Sequence, residues 1–211
     1  MKTRVLVADS HPVTLEGLCH VFERREYELI GKVRNGQAVV RVAVEQRPDV
    51  LILETALPLL NGVEAALRIR QQNSRIKLIF FTAQQDAHSV RAAFRAGGNA
   101  YVPKCAEASE LLVAVQEVLA GRLYLSRAVT PAAERVLAEI GSACGFGKHL
   151  SLRQREVLQL VAEGKTAKEA ADILHVSVKT IEFHKTKLMN NLGLRSSVEL
   201  ARYAVQYGFV A

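Results

Sequence analysis

The first 128 residues alternate between short runs of apolar and β-branched side chains and longer stretches with helical periodicity. The predicted strands are Arg4–Ala8, Glu28–Val33, Val50–Glu54, Lys77–Thr82 and Ala100–Pro103. The helices predicted to follow them are Pro12–Arg24, Gly36–Gln46, Gly62–Gln72, Ala87–Ala96 and Ser109–Ala120. This alternation predicts an α/β domain, in which a doubly wound parallel sheet of five strands carries helices on both faces.

Polar residues stand at the carboxyl ends of four of these strands. They are Asp9-Ser10, Glu54, Thr82 and Lys104. Functional groups of doubly wound sheets gather at this edge. We therefore expect these side chains to line one pocket.

Residues 150–211 carry start and stop signals for four short helices. Ser151 with Gln154, Thr166 with Glu169 and Ser196 with Glu199 fit the capping-box pattern, and Ser177 is a further N-cap. The corresponding ends lie at Gly164, at His175–Val176, at Gly193 and at about Tyr207 before Gly208. This order predicts a small all-α domain with four helices that contains a helix-turn-helix, a DNA-binding arrangement.

The third of these helices has two distinct faces when each residue advances by about 100°. Ile181, Lys185, Leu188 and Leu192 share a mostly apolar face, with the Lys185 ammonium reaching outward past its buried stem. The opposite face carries Lys179, Glu182, Phe183, Thr186, Lys187 and Asn190. Taken alone, this pattern is typical of any amphipathic surface helix. Three capped helices in succession favour the DNA-contacting interpretation.

Composition agrees with a globular, DNA-binding protein. The chain has 211 residues, 49% of them hydrophobic, and a formal net charge of +7 that suits a polyanionic partner. Cys19, Cys105 and Cys144 are too far apart in the sequence to suggest a zinc site. The apolar run at Val5–Ala8 is too short for a signal peptide, and no stretch reaches the length of a membrane span. We expect a cytoplasmic protein with no membrane partner.

A linker separates the two predicted domains. Thr130-Pro131 predicts a helix to about Ile140, and residues 141–149 contain three glycines and are expected to form a hinge. The predicted boundaries are therefore 1–128, 129–149 and 150–211.

The C-terminal domain resembles the helix-turn-helix domain of LuxR/NarL-type transcriptional regulators. The resemblance rests on Leu150, Arg155-Glu156, Val157-Leu158, Ala162-Glu163-Gly164, Lys168 to Ala171, Leu174, Val176-Ser177, Lys179 to Ile181, His184, Leu188 and Leu192 to Leu194. It implies that the third helix enters the major groove of double-stranded DNA and that the fourth often joins a homodimer. We expect base contacts from Lys179, Glu182, Phe183 and Thr186, with Asn190 on the same face, and phosphate contacts from Lys185, Lys187 and Arg195.

The N-terminal domain resembles a response-regulator receiver. The matching residues are Asp9 to Pro12, Pro48-Asp49, Leu53-Glu54, Pro58, Gly62, Thr82-Ala83 and Tyr101 to Lys104. In that family a central Asp accepts phosphate from a histidine kinase, and an acidic pair holds magnesium. Thr and Lys grip the phosphoryl group, and an aromatic residue, here Tyr101, reports the change. The resemblance also suggests RNA polymerase as a partner. It does not decide whether a histidine kinase is a partner as well.

Two substitutions depart from the receiver pattern. Glu54 occupies the phospho-acceptor position, and Ser10 the second acidic position. Asp49 lies near the opposite end of the strand and cannot replace the acceptor. Magnesium needs several hard oxygen ligands, so Asp9 and Glu54 alone should hold it poorly. We expect no resident cofactor, no enzymatic activity and no normal phosphorylation. Pro103, directly before Lys104, is a third departure and could reshape the last loop.

The residues leave several interpretations open. Glu54 could reach Lys104 and imitate a phosphorylated site. Alternatively, Lys104 could simply neutralise Asp9 and Glu54 without any switching. For the whole chain, the alternatives to a phosphorylation-independent regulator are a conventional two-component response regulator and a protein-interaction adaptor.

Overall fold

A computed structural model of the protein describes residues 2–24, 26–72, 75–129, 136, 150–206 and 209–210. The predicted linker helix and hinge therefore fall almost wholly outside the described residues. Only Val129 and Val136 of the linker are described, and both are buried against the core of the N-terminal domain.

The N-terminal domain contains six strands and five helices among its described residues. The strands are β1 (Thr3–Ala8), β2 (Tyr27–Val33), β3 (Val50–Leu53), β4 (Lys77–Thr82), β5 (Ala100–Pro103) and β6 (Tyr124–Leu125). The helices are α1 (Pro12–Phe22), α2 (Gly36–Gln46), α3 (Gly62–Gln72), α4 (Ala87–Arg95) and α5 (Ala108–Leu119). The predicted elements are confirmed, and their ends differ from the prediction by at most two residues.

The strands form one parallel sheet in the order β2-β1-β3-β4-β5-β6. Successive residues of β1 serve opposite faces, so that Leu6 packs with α2, α3 and α4, whereas Val5 packs with α1 and α5. The prediction of five strands missed β6, a two-residue strand that pairs with β5. So short a segment carries no period-2 pattern to identify it.

The C-terminal domain consists of α6 (Leu152–Ala162), α7 (Ala167–Leu174), α8 (Val178–Leu192) and α9 (Ser197–Gln206). Reciprocal capping boxes begin α6 at Ser151 and α7 at Thr166. His175 ends α7 in the left-handed conformation, and the Ser177 side chain then caps α8. The predicted start and stop signals are thereby confirmed, although Tyr207 and Gly208 at the predicted end of α9 lie outside the described residues.

Over the described ranges, no helix combines the length and apolar character that crossing a bilayer requires. The same part of the chain contains no group of three or more His, Cys, Asp or Glu side chains placed to share a metal ion.

Candidate functional site

The polar residues predicted to meet at the carboxyl edge of the sheet do lie together. We call Asp9, Ser10, Glu54, Thr82 and Lys104 the acidic pocket. The ammonium of Lys104 lies 2.6 Å from Oδ2 of Asp9 and 2.6 Å from Oε2 of Glu54. Both carboxylates are buried, and this one cation bridges them.

The second oxygen of Glu54 is held by the residues that follow it. Oε1 accepts hydrogen bonds from the Thr55 hydroxyl at 2.9 Å and from the backbone N–H of Ala56 at 3.1 Å. The Thr55 hydroxyl lies 2.7 Å from that of Thr82. The carboxylate of Glu54 is therefore connected to Thr82 through Thr55 and to Lys104 directly.

The second oxygen of Asp9 contacts His11. This oxygen, Oδ1, accepts from the backbone N–H of His11 at 2.8 Å and lies 3.0 Å from the His11 ring nitrogen Nδ1. Ser10 is partly exposed, and its hydroxyl lies 3.5 Å from the same ring nitrogen. Asp49 accepts from the backbone N–H of Arg4 at 2.8 Å, at the opposite end of the sheet, as predicted.

Tyr101 lies wholly inside the domain, and its hydroxyl donates to the backbone carbonyl of Gln84 at 3.0 Å. Burial, reinforced by Asp86 and Glu54, raises the pKa of this phenol far above its usual value, so Tyr101 stays a neutral donor. Burial alone would lower the pKa of Lys104, but the hydrogen bonds and charges of Asp9 and Glu54 outweigh it and raise that pKa. Lys104 therefore remains charged at neutral pH.

The backbone closes tightly beneath the pocket. The N–H of Gly62 donates to the carbonyl of Thr55 at 2.7 Å, and this hydrogen bond closes the loop between β3 and α3. A Cβ at Gly62 would lie 2.0 Å from the carbonyl oxygen of Glu54, so only glycine fits. Pro103 does not displace Lys104, whose N–H still donates to the Thr82 carbonyl at 2.8 Å.

Helix α8 presents the second candidate surface. Ile181 and Leu188 are buried in the core of the C-terminal domain, as the predicted faces require. The residues Lys179, Glu182, Phe183, Thr186, Lys187 and Asn190 are exposed, and we call them the polar face of α8. Phe183 is 61% exposed with the Lys187 ammonium 5.9 Å from its ring centre. Arg195 is exposed beyond the helix end, and Lys185 is half-buried, consistent with its stem packing inward.

Helix α9 has an exposed apolar surface as well. Val198 and Val205 are 76% and 56% exposed, whereas Leu200 and Ala204 are buried against the domain core. Tyr203 packs against that core and Ala201 is half-buried, so Val198 and Val205 are the two large apolar residues that α9 leaves open among its described side chains.

Comparison with known proteins decides the family. Residues 5–116 match the response regulator receiver domain, and residues 148–204 match the bacterial regulatory proteins of the luxR family. The chain belongs to the LuxR-family response regulators. Members of this family couple a receiver to a DNA-binding domain, and its relatives include transcription regulators.

Three relatives illustrate the extent of the match to other LuxR-family regulators. The chain is 30% identical to oxygen regulatory protein NreC of Staphylococcus epidermidis, over 96% of this chain and 97% of that protein. It is 31% identical to transcriptional regulatory protein LiaR of Bacillus subtilis, over 95% and 96%. Among solved structures, RcsB of Salmonella enterica serovar Typhimurium bound to promoter rprA with phosphomimetic BeF3- is 25% identical, with a TM-score of 0.62 over 96% and 98% of the two chains.

Two pocket contacts were not predicted from the sequence. Thr55 connects Glu54 to Thr82, and His11 holds Asp9. Both residues are immediate neighbours of predicted pocket residues, so their position at the strand ends was the available signal. Nothing in their residue types distinguished them from ordinary loop residues.

Proposed function

We propose that this LuxR-family response regulator binds its DNA sites without receiver phosphorylation. In this proposal the Glu54 carboxylate stands permanently where a phosphoryl group would arrive. The observation that carries it is the position of Lys104, 2.6 Å from both Glu54 and Asp9. The Lys104 ammonium has three N–H donors, and two of them are already directed at buried carboxylates, so only one remains for an incoming phosphoryl group.

The arrangement of the pocket supports permanent engagement over simple neutralisation. Glu54 contacts Lys104 with one oxygen and Thr55 with the other, and Thr55 continues to Thr82. Tyr101 is turned inward and bound to the loop after β4. One carboxylate thus contacts Lys104 directly and Thr82 through Thr55, the two residues that grip phosphate in the family, and this would bias the receiver towards one conformation.

The acidic pocket fits magnesium poorly, and we propose no resident cofactor. A magnesium ion needs near-octahedral oxygen ligands. One oxygen of each buried carboxylate already contacts the Lys104 ammonium, and Ser10 supplies no charge in place of the second acid. A histidine kinase and magnesium are accordingly not required for the activity we propose, which is regulation of transcription by RNA polymerase in the cytoplasm.

DNA recognition is assigned to the polar face of α8. Lys179, Glu182, Phe183 and Thr186 would face base edges, whereas Lys185, Lys187 and Arg195 would contact phosphates. A glutamate can accept from the amino group of cytosine, and a phenyl ring can contact the methyl group of thymine. Phosphate contacts position the protein on the duplex without specifying sequence.

Two single substitutions on α8 test this assignment. The probe is a duplex selected by the wild-type protein from random-sequence DNA. Glu182→Ala should cost about 1–3 kcal/mol on this duplex and relax discrimination at one base pair. Lys187→Ala should weaken all sequences about equally and reduce the salt dependence of binding, because fewer counterions are released. Fluorescence anisotropy at two salt concentrations measures both effects.

A matched control is Glu16→Ala, which makes the same charge change on the exposed side of α1 in the receiver. It should leave sequence preference unchanged. If Glu182→Ala keeps the ranking of operator variants, Glu182 does not face the bases. Failure of the wild-type protein to select any duplex would instead favour a protein-interaction adaptor.

We also propose that the protein binds DNA as a homodimer through α9. Val198 and Val205 form its exposed apolar surface, and a two-fold protein matches an inverted repeat. Val198→Glu combined with Val205→Glu should place charges in that interface and give a monomeric mass on DNA. Light scattering of the complex measures this mass. Val113 is a 45% exposed apolar residue of α5, and Val113→Glu tests dimerisation through that helix of the receiver. Such a dimer would make this variant monomeric and leave the α9 variant dimeric.

A further inference from the structure

The receiver and the C-terminal domain are in direct contact, through the loop that follows Glu54. Gln159 of α6 accepts from the backbone N–H of Asn61 at 2.6 Å and donates to the carbonyl of Leu57 at 2.8 Å. The N–H of Leu59 donates to Glu163 at 3.2 Å. Leu59 holds a φ of 66°, a strained value for a residue with a branched side chain. The loop between β3 and α3, which directly follows Glu54, is therefore hydrogen-bonded to α6.

Charged residues surround this contact in a complementary pattern. Glu64 of α3 accepts from Arg155 of α6 at 2.6 Å, and Arg68 of α3 pairs with Glu156 of α6. Glu64 and Glu156 are only 2% and 4% exposed. We call these four residues, together with Gln159 and Glu163, the docking interface. Buried charges that meet partners of opposite sign across two domains indicate a specific contact, because an unpaired buried charge is costly.

The network continues from the docking interface into the helix-turn-helix. Glu156 also accepts from Arg153 at 2.8 Å, and Arg153 donates to the backbone carbonyl of Leu174 at 3.0 Å. Leu174 is the last residue of α7, and the turn at His175 and the N-cap Ser177 follow it directly. Receiver residue Arg68 is thus connected through two side chains to the turn that sets the direction of α8.

Docking leaves the surfaces needed for DNA binding open. All six residues of the polar face of α8 remain exposed while α6 is bound to the receiver. Val198 and Val205 of α9 remain exposed as well. The receiver therefore covers neither the groove-facing helix nor the apolar surface of α9. The exposure of these side chains is compatible with DNA binding by the docked form.

We propose that Glu64 and Arg68 of the receiver are positioning residues for DNA binding, and that the docked form is the one that binds DNA. They hold Arg155 and Glu156, and through Arg153 they fix the turn before α8. The inference rests on the proposed DNA-binding function, but not on the absence of phosphorylation. Undocking should weaken binding, because the turn loses part of the support that orients α8.

The test is charge reversal across the docking interface, with the wild-type-selected duplex as the probe. Glu64→Arg places a cation against Arg155 and Arg68, and should separate the domains and weaken DNA binding by about tenfold. Adding Arg155→Glu restores an opposite-charge pair and should recover both properties. Gln159→Ala, which removes both hydrogen bonds to the loop, should act in the same direction as Glu64→Arg. Small-angle scattering reports domain separation, and anisotropy reports affinity.

Glu16→Arg is the control, since it makes the same charge change at an exposed residue of α1, which packs on the opposite face of the sheet from α3. Circular dichroism verifies that each variant is folded. The proposal is overturned if the separated variants bind DNA as tightly as the wild type or more tightly, or if both variants stay docked. A wild-type protein that selects no duplex would instead refute the proposed function.

Discussion

Replacing Lys104 with methionine should lower the free energy of unfolding of the receiver by about 3 kcal/mol. In the wild-type protein the Lys104 ammonium lies 2.6 Å from an oxygen of Asp9 and 2.6 Å from an oxygen of Glu54. The methionine variant leaves these two carboxylates buried side by side with no cation between them. Two like charges in a buried site repel, and each has lost its solvation. The pocket can relieve this only by protonating a carboxylate or by opening. Urea denaturation followed by circular dichroism measures the loss.

The repair variant identifies the cause of that loss. Lys104→Met combined with Asp9→Asn and Glu54→Gln removes both unpaired charges and should recover much of the stability. Lys32→Met, on the exposed side of β2, removes one positive charge elsewhere and should change stability by less than about 0.5 kcal/mol. Equal stability of Lys104→Met and the wild type would mean that the ion pairs contribute nothing to the fold.

Restoring two aspartates should convert the receiver into a phosphate acceptor. Glu54→Asp shortens the side chain by one methylene and withdraws its carboxylate from Lys104, while Ser10→Asp returns the second acidic ligand for magnesium. Thr82 and Lys104 are already in place at the strand ends. The double variant should acquire one phosphoryl group from acetyl phosphate in the presence of magnesium, and its DNA affinity should then rise by about tenfold.

Two variants control for nonspecific labelling. Ser10→Asp with Glu54→Asn keeps the new acid but has no carboxylate at the acceptor position, and should gain no adduct. Glu54→Asp alone should gain little, because its magnesium site still lacks a ligand. An adduct that appears equally on all three variants would show that it lies outside the acidic pocket.

Much of the fold follows from local patterns in the sequence. The five longer strands and their helices were predictable because buried parallel strands are short apolar runs, and because α6, α7 and α8 each begin at a side-chain cap. The acidic pocket was predictable because the carboxyl ends of parallel strands lie at the same edge of a sheet. Strand β6 was missed because two residues carry no periodicity.

The docking interface could not be predicted in the same way. Arg155, Glu156, Gln159 and Glu163 are polar, and on a single helix they indicate a solvent-facing surface. Glu64 and Arg68 give the same impression on α3. Glu64 and Glu156 are buried because α3 of the receiver packs against α6 of the C-terminal domain, and neither helix sequence alone indicates this packing. The four-residue spacing of Glu64 and Arg68 on α3 is typical of an exposed ion pair and identifies no partner.

Intact-protein mass spectrometry of the wild-type protein tests the central claim most directly. The protein is incubated with acetyl phosphate and magnesium, and the same sample is titrated with the selected duplex. Because Lys104 is already paired with two carboxylates and a glutamate occupies the acceptor position, we expect an unchanged mass and an affinity equal to that of the untreated protein. A stoichiometric, magnesium-dependent phosphoryl adduct on Glu54 or Asp9, accompanied by tighter DNA binding, would contradict the account.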